Sequence, residues 1–327
     1  YLEALALRIA GGEEVEEHVD GVDCLMIAAE SGHEEAVKYF LEKGADPRKT
    51  DDDDKTALTN AVKGNFGEVA AILVAAGADP DTEFVDEEGV SHNLLMDSII
   101  VENDEFARLL IENGADVTHK DEAGVTTLLQ AAHRGLGDIV ELLLKKGGVD
   151  VDEGNDDGIT PIIAAASEGH DAIVDLLVGT GKCDLNKVDK DGTNPLMAAS
   201  VRGHASIVKK LLSGGSGLNA QNSDGHTALM FAYNGKNQVA MLWDQYKEML
   251  AEAGEEDVED NAKLIKEALD NHTAVIDLLA ASGADATIKD SEGHTAADFD
   301  YNPDLDADLV EGEKKSADRR SKSKNEL

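Results

Sequence analysis

Histidine and cysteine are the residues of this sequence best suited to bind a metal ion or to act as nucleophiles. His33, His170 and His204 each follow a glycine in the same local pattern, far apart along the chain. A metal site needs its ligand atoms within about 2 Å of one ion, and this spacing does not bring the three rings together. Cys24 and Cys183 form neither a Cys-x-x-Cys pair nor a metal-ligand spacing. The sequence therefore predicts no metal site and no disulfide framework.

An acidic run near the C-terminus has the spacing of a calcium-binding loop. Its side-chain oxygens, of the kind that Ca²⁺ prefers, belong to Asp300, Asn302, Asp304, Asp306, Asp308 and Glu311. Leu305, however, stands where such a loop requires glycine, and Pro303 comes shortly before it. The alternative is a short capping helix over residues 304–310. We favour the helix, and weak calcium binding stays open as the alternative.

Patterns typical of catalysis are missing from the sequence. The glycine-rich stretch at 213–217 has no strand before it and no Lys-Ser/Thr after it, as a phosphate-binding loop would. Neither a Gly-x-Ser-x-Gly elbow nor a His-Glu-x-x-His helix occurs. We therefore predict that the chain is not an enzyme and needs no cofactor.

An internal repeat organises almost the whole chain. Runs such as Gly158-Ile159-Thr160-Pro161-Ile162 return with a leucine-type residue in the last place. That place recurs every 33–37 residues, at Leu25, Leu58, Leu95, Leu128, Ile162, Leu196, Leu229, Leu264 and Ala297. Self-similarity at such a period predicts one small helical unit stacked many times.

Each unit reads as two short helices and a finger, meaning the hairpin-like loop that precedes the first helix. Thr160 can cap the first helix, and Pro161 is tolerated in its first turn. After an alanine pair and a Gly-His turn, the apolar residues at 173–174 and 176–177 lie on one face of a second helix. A closing glycine ends that helix. Asp/Asn-Gly runs before each threonine suit the tip of a finger.

These motifs resemble the ankyrin-repeat family over roughly residues 21–300. The resemblance implies an all-α solenoid of helix-turn-helix units with hairpin fingers, about eight repeats plus terminal caps. It divides the chain into an N-terminal capping half repeat (1–20), ankyrin repeats with a degenerate C-terminal cap (21–310) and a basic, disordered tail (311–327). It also implies a scaffold or adaptor that binds a partner protein through its concave face of fingers and first helices.

The repeat pattern breaks in two places. The third finger carries two extra residues around 89–93. In the seventh repeat the second helix is predicted to run on from about 236 to 253, and an eighth repeat is placed around Leu264. Trp243 and Tyr246 lie in the extended helix. Their stretch, 241–250, is either an exposed ridge for a partner helix or a surface packed against its neighbours. We favour packing but keep both aromatic residues as candidates.

Composition limits the class of partner. Sixty-eight acidic against 29 basic residues give a formal charge of −39, which repels nucleic-acid phosphates and favours a cationic protein surface. The Asp-Asp-Asp-Asp-Lys run at 51–55 falls in register as the second finger. No apolar run is long enough to cross a membrane. We expect a protein partner with a basic surface, no nucleic acid and no membrane insertion. A permanent subunit of a larger assembly is the alternative.

Finger residues vary between units while framework positions repeat, so the finger tips are the predicted contact residues. With the two aromatic candidates, the set is Lys49, Asp52, Asp53, Glu83, Phe84, Glu87, His119, Lys120, Glu122, Asp156, Lys187, Lys190, Gln221, Asn222, Trp243 and Tyr246.

The last four residues suggest a compartment. Lys324, Asn325, Glu326 and Leu327 resemble the Lys-Asp-Glu-Leu retrieval signal of the endoplasmic reticulum. Asn271 begins an Asn-His-Thr glycosylation sequon, and a start at Tyr1 is compatible with removal of a signal peptide. The endoplasmic reticulum lumen is therefore expected, with the cytoplasm or another organelle as the alternative.

Overall fold

The computed structural model describes residues 18–19, 22–85, 91–253 and 259–300 of the 327-residue chain, with side chains for 24–83, 93–246 and 263–300. The predicted N-terminal cap before residue 18 and everything after 300 therefore lie outside the described residues. The chain divides into two compact units, residues 1–150 and 151–327.

Among the described residues, the N-terminal unit contains four helix pairs. Two antiparallel strand pairs lie in its fingers, β1 (His18–Val19) with β2 (Val22–Asp23) and β3 (Glu83–Val85) with β4 (Ser91–Asn93). The helices are α1 (Cys24–Glu30), α2 (Glu34–Glu42), α3 (Ala57–Lys63), α4 (Gly67–Ala75), α5 (Leu94–Ile100), α6 (Asp104–Glu112), α7 (Thr127–Arg134) and α8 (Gly137–Lys146).

In the described part of the C-terminal unit, three further helix pairs are followed by a 3-10 turn. Its helices are α9 (Pro161–Glu168), α10 (Asp171–Gly179), α11 (Pro195–Val201), α12 (Ala205–Ser213), α13 (Ala228–Ala253) and α14 (Glu259–Ala281), followed by the turn Ala296–Phe299. The all-helical repeat architecture predicted from the sequence is thus confirmed.

The same residue types build every regular pair. The first helices from α3 to α13 begin at a side-chain cap: for example, the Thr160 hydroxyl accepts the Ile163 N–H, and the Asn194 amide oxygen accepts the Met197 N–H. Such a cap satisfies a backbone donor that the helix itself cannot pair. The leucine position is buried, with Ile162 and Leu196 both 0% exposed. Burial of this apolar stripe between neighbouring pairs is what holds each unit together.

The prediction of a separate eighth repeat around Leu264 is wrong. α13 runs without interruption from the first-helix position of the seventh pair to Ala253, and α14 returns as its partner. Leu264 is 63% exposed and lies in the first part of α14, beyond the repeat core. The seventh pair is therefore one repeat whose two helices are both extended into a long helical hairpin.

His272 shows where the regular register resumes. It is buried in the position that His204 holds one repeat earlier, and Val275 and Leu279 follow at the spacing of Ile207 and Leu211, all 0% exposed. His204 lies 9 residues after the start of α11, whereas His272 lies 44 residues after the start of α13. The hairpin insertion is thus 35 residues long. We define it as residues 237–271.

Candidate functional site

The fingers share one internal device. In each of six fingers a single Asp or Asn side-chain oxygen accepts the backbone N–H groups two and four residues later, over 2.8–3.1 Å. The accepting residues are Asp51, Asp121, Asn155, Asp189, Asn222 and Asp290. Short polar side chains close such turns by binding nearby backbone donors. Finger shape therefore depends on this residue and not on the tip side chains around it.

Two of the predicted contact residues prove to have structural roles. Asn222 is the turn-closing residue of its finger. Gln221 donates from Nε2 to the carbonyl oxygens of Gly225 and Lys289, at 2.6 and 3.0 Å, so it links two fingers. The sequence placed both at the tip because their internal hydrogen bonds cannot be read from residue type.

Most of the other predicted residues lie on the exposed rim of the fingers. The exposed ones are Lys49, Asp52, Asp53, Glu83, Lys120, Glu122, Asp156, Lys187 and Lys190. Their surroundings carry mixed charge: Lys55 pairs with Asp53 at 2.9 Å, and Lys190 pairs with Asp157 at 2.9 Å. The hydrogen bond and charge of Lys55 lower the pKa of Asp53.

The structure brings together one predicted pair from adjacent fingers. The His119 ring is half-buried, and its Nδ1 atom lies 3.5 Å from a carboxylate oxygen of Glu83. The Phe84 side chain and Glu87 lie outside the described residues, so their predicted roles stay predictions. Contacts of this kind align neighbouring fingers into one edge.

Fingers of the C-terminal unit are joined tip to tip by main-chain hydrogen bonds. Backbone N–H groups of Lys190, Ser223 and Ser291 donate to the carbonyl oxygens of Asp157, Asp191 and Asp224, at 2.8–2.9 Å. Among the described residues of the N-terminal unit no equivalent bond joins the finger tips. In the second unit these bonds therefore hold the described fingers in one continuous edge.

A histidine pair closes the last two fingers and was missed by the sequence analysis. His226 Nε2 and His294 Nδ1 each lie 3.4 Å from Oδ2 of the buried Asp290. Burial acts to raise the pKa of Asp290, but hydrogen bonds from the backbone N–H groups of His294 and Glu292 outweigh it and hold that pKa below its usual range. Phe299 contacts both histidine rings edge to face. This cluster joins the finger that contains His226 to the finger that contains His294.

The 241–250 stretch, predicted as either an exposed ridge or a packed surface, lies in the helical hairpin. Trp243 is 5% exposed and packs with Ala240 and Leu269 between the two helices, and its ring stacks on Tyr246 with centroids 6.1 Å apart. The prediction that Trp243 contacts a partner directly is therefore wrong. Its side chain packs within the chain, as the alternative interpretation had it. Met241 and Leu242, in contrast, are 57% and 60% exposed.

The two cysteines are unsuited to nucleophilic chemistry. Cys24 is buried, and Cys183 is half-buried beside Asp152. Burial, then the charge and hydrogen bond of Asp152, raise the pKa of Cys183 to about 12. The thiolate is the reactive form of cysteine, so the Cys183 thiol is expected to be inert near neutral pH, and burial shields Cys24 from reagents.

We predict that Cys183 of the folded protein reacts with iodoacetamide at pH 8 roughly a thousandfold more slowly than an unhindered thiol, because its thiolate is that much scarcer. Mass spectrometry of the alkylated peptide measures the rate. Asp152→Asn should speed the reaction by removing a neighbouring charge without exposing the sulfur. Equal rates in native and urea-unfolded protein would contradict the prediction.

The other predicted features are the glycosylation sequon, the C-terminal tetrapeptide and the acidic run. Asn271, the first residue of the sequon, is exposed and lies within α14. Residues 324–327 and most of the acidic run lie outside the described residues. In the described ranges no group of three or more His, Cys, Asp or Glu side chains could hold a metal ion. Within the same ranges no helix is long and apolar enough to cross a membrane.

Capped helix pairs with turn-closed fingers define a helical-repeat protein. A family model described as ankyrin repeats matches residues 2–84, 95–189 and 173–253, most of the chain. The chain therefore belongs to the ankyrin-repeat family. The first break between matches falls at the third finger, and the last match ends where α13 ends.

Two relatives in Caenorhabditis elegans share the repeats. The chain is 31% identical over 121 residues to the Ankyrin repeat and KH domain-containing protein mask-1, covering 37% of this chain and 4% of that protein. It is 28% identical over 125 residues to the Transient receptor potential cation channel subfamily A member 1 homolog, covering 38% of this chain and 10% of that protein. The similarity therefore concerns a small share of either relative.

Proposed function

We propose that the chain is a non-catalytic scaffold that binds a partner protein through its fingers and first helices, and that the partner presents a cationic surface. Ankyrin repeats generally mediate protein–protein interaction, which supports the first part. The observation that carries the proposal is that in six fingers one Asp or Asn side chain closes the turn, so the exposed carboxylates of Asp52 and Glu122 are not needed to hold the shape of their fingers.

Charge supports a cationic partner. In the second finger Asp51 closes the turn and Asp53 pairs with Lys55, while Asp52 and Asp54 are exposed beside them. Such a tip adds to the field of a chain with a net charge of −39. Complementary charge at a rim accelerates encounter and suppresses wrong partners more than it adds affinity. Binding should accordingly weaken as salt is added.

Charge reversal at two tips is the direct test. The double variant Asp52→Lys/Glu122→Lys should slow association with the partner about tenfold or more, because each exposed carboxylate becomes a repelling cation. Its free energy of unfolding should change by no more than about 0.5 kcal/mol, because both side chains lie on the surface. The partner is first captured from the source cells with the wild-type protein, and rates are then measured by surface plasmon resonance.

A matched control lies beside the first position. Asp51→Ala removes the acceptor of two backbone N–H groups and should cost about 1 kcal/mol or more of stability, through loss of finger shape. If the double variant binds the captured partner at the wild-type rate, the finger tips are not the contact surface. If it unfolds, their assignment as non-structural residues is incorrect.

A further inference from the structure

The last described residues lie against the first half of α13. The 3-10 turn at Ala296–Phe299 packs on this helix. The two elements begin side by side, because the histidine that precedes each of them contacts the same Asp290 carboxylate. Further along, the side-chain amide of Asn237 donates to the Phe299 carbonyl oxygen. The chain therefore runs parallel to α13 where it reaches Asp300.

The helix continues beyond that contact with an exposed apolar side chain. Met241 follows Asn237 by four residues, so the two side chains lie on the same face of α13, one turn apart. The Met241 side chain is 57% exposed, whereas Trp243 on the opposite face is buried against α14. Met241 is therefore the next apolar position that the chain meets if it continues along α13.

The Asp300 carboxylate indicates that the chain stays close to the helix. Burial raises the pKa of Tyr233 on α13, and the charge of Asp300 raises it further, which places this carboxylate beside the helix. Its Oδ1 atom is buried and accepts no hydrogen bond from the described residues. A buried acceptor normally has a donor. The backbone N–H groups of Asn302 and Asp304 follow at the spacing that closes six fingers, and such a turn keeps them beside α13.

The residues that follow carry the pattern of a short amphipathic helix. Asn302 can cap it and Pro303 is tolerated in its first turn, as the Asn-Pro pair at 194–195 begins α11. Leu305 and Leu309 are four residues apart, so they share one face of such a helix. An apolar face of this kind gains free energy when it is buried against another apolar surface.

We propose that residues 301–310 cover the exposed face of α13, with Leu305 packed on Met241 and Leu309 further along the helix. The length of the chain permits this. Leu305 lies six residues beyond Phe299, which spans up to about 20 Å when extended. One helical turn, about 5 Å, separates Met241 from the level of the Phe299 contact. The segment joins the hairpin insertion to the last finger.

These contacts lie within one chain and need no partner protein. The finger tips keep the role proposed for them, and the face of α13 around Met241 is occupied by the chain's own C-terminal segment. A partner protein or a second copy of the chain would be the occupant if the segment were elsewhere. The two experiments below separate these outcomes in the full-length chain.

Disulfide formation tests the placement of the segment. The double variant Met241→Cys/Leu305→Cys should oxidise to an intramolecular disulfide, because packing brings the Cβ atoms within the roughly 4 Å that this bond needs. Ala307 lies on the opposite face of the predicted helix, so Met241→Cys/Ala307→Cys, the matched control, should react at least about tenfold more slowly. Mass spectrometry of peptides separates this disulfide from bonds to Cys24 or Cys183. Equal rates in the two variants, or a disulfide only between two molecules, would overturn the proposal.

Methionine oxidation reports the same contact without a cross-link. Peroxide oxidises an exposed thioether faster than a covered one, so Leu305→Asp/Leu309→Asp should speed the oxidation of Met241 about threefold or more. Ala307→Asp introduces the same charge on the opposite face and should leave the rate unchanged. A rate that neither variant changes, or that both raise equally, would show that the segment does not cover Met241.

Discussion

Replacing Gly235 with alanine is expected to destabilise the C-terminal unit by about 3 kcal/mol, because the position has no room for a methyl group. A Cβ atom there would overlap the Val201 carbonyl oxygen and lie 2.5 Å from Nε2 of His272. The backbone carbonyl cannot move without disturbing α11, and the ring is held by its own hydrogen bonds. Equilibrium urea unfolding, followed by circular dichroism, measures the loss.

Gly179 provides the matched control. It also lies in a helix, at the end of α10, and a Cβ atom built there meets nothing within 4 Å. Gly179→Ala should be neutral or stabilising by up to about 1 kcal/mol, since alanine is the better helix former. If Gly235→Ala proves as mild as the control, α13 does not pass as close to α11 as the structure has it.

Much of the fold could be predicted from the sequence because its causes are local. Thr160 caps a helix since its hydroxyl reaches an N–H three residues away, and Pro161 follows it for equally local reasons. Leu196 is buried because each unit offers only one apolar stripe to its neighbours. The exposure of the finger residues was also predictable, because these residues do not belong to the repeated apolar framework positions.

The helical hairpin was mistaken for a separate repeat in the sequence because of its length. An insertion of 35 residues is about as long as one repeat, so Leu264 and Ala297 kept the expected spacing although only Ala297 begins a new unit. The informative signal was the missing glycine-histidine turn after Leu229. His272 within the sequon carried the true register, which Val275 and Leu279 confirm.

Interactions between distant residues could not be predicted. Asp290 looked like any other turn-closing residue, and nothing in the sequence brings His226 and His294 to its second oxygen. Gln221 resembled a tip residue until its bond to the Lys289 carbonyl oxygen was seen. These contacts form where separate fingers meet, so only the folded structure shows which exposed residues have structural roles.

Trp243→Ala should have the largest effect of any side-chain truncation in the hairpin. The indole is 5% exposed and fills the space between α13 and α14 beside Leu269. Truncating a buried tryptophan costs about 3–5 kcal/mol in transferred surface and cavity. The loss should be confined to the insertion, since the repeat core around Val275 makes its own contacts. Hydrogen exchange should show lost protection in 263–271 with little change in α9 to α12.

Leu264→Ala separates the two interpretations of this region. As a core leucine of an independent repeat it would cost about 2–5 kcal/mol, like Leu196→Ala. At 63% exposure it should change the free energy of unfolding by no more than about 0.5 kcal/mol. A large effect would restore the eighth repeat. A small one, beside a large effect of Trp243→Ala, establishes that the insertion is a hairpin built on one tryptophan, anchored where His272 returns the chain to the repeat register.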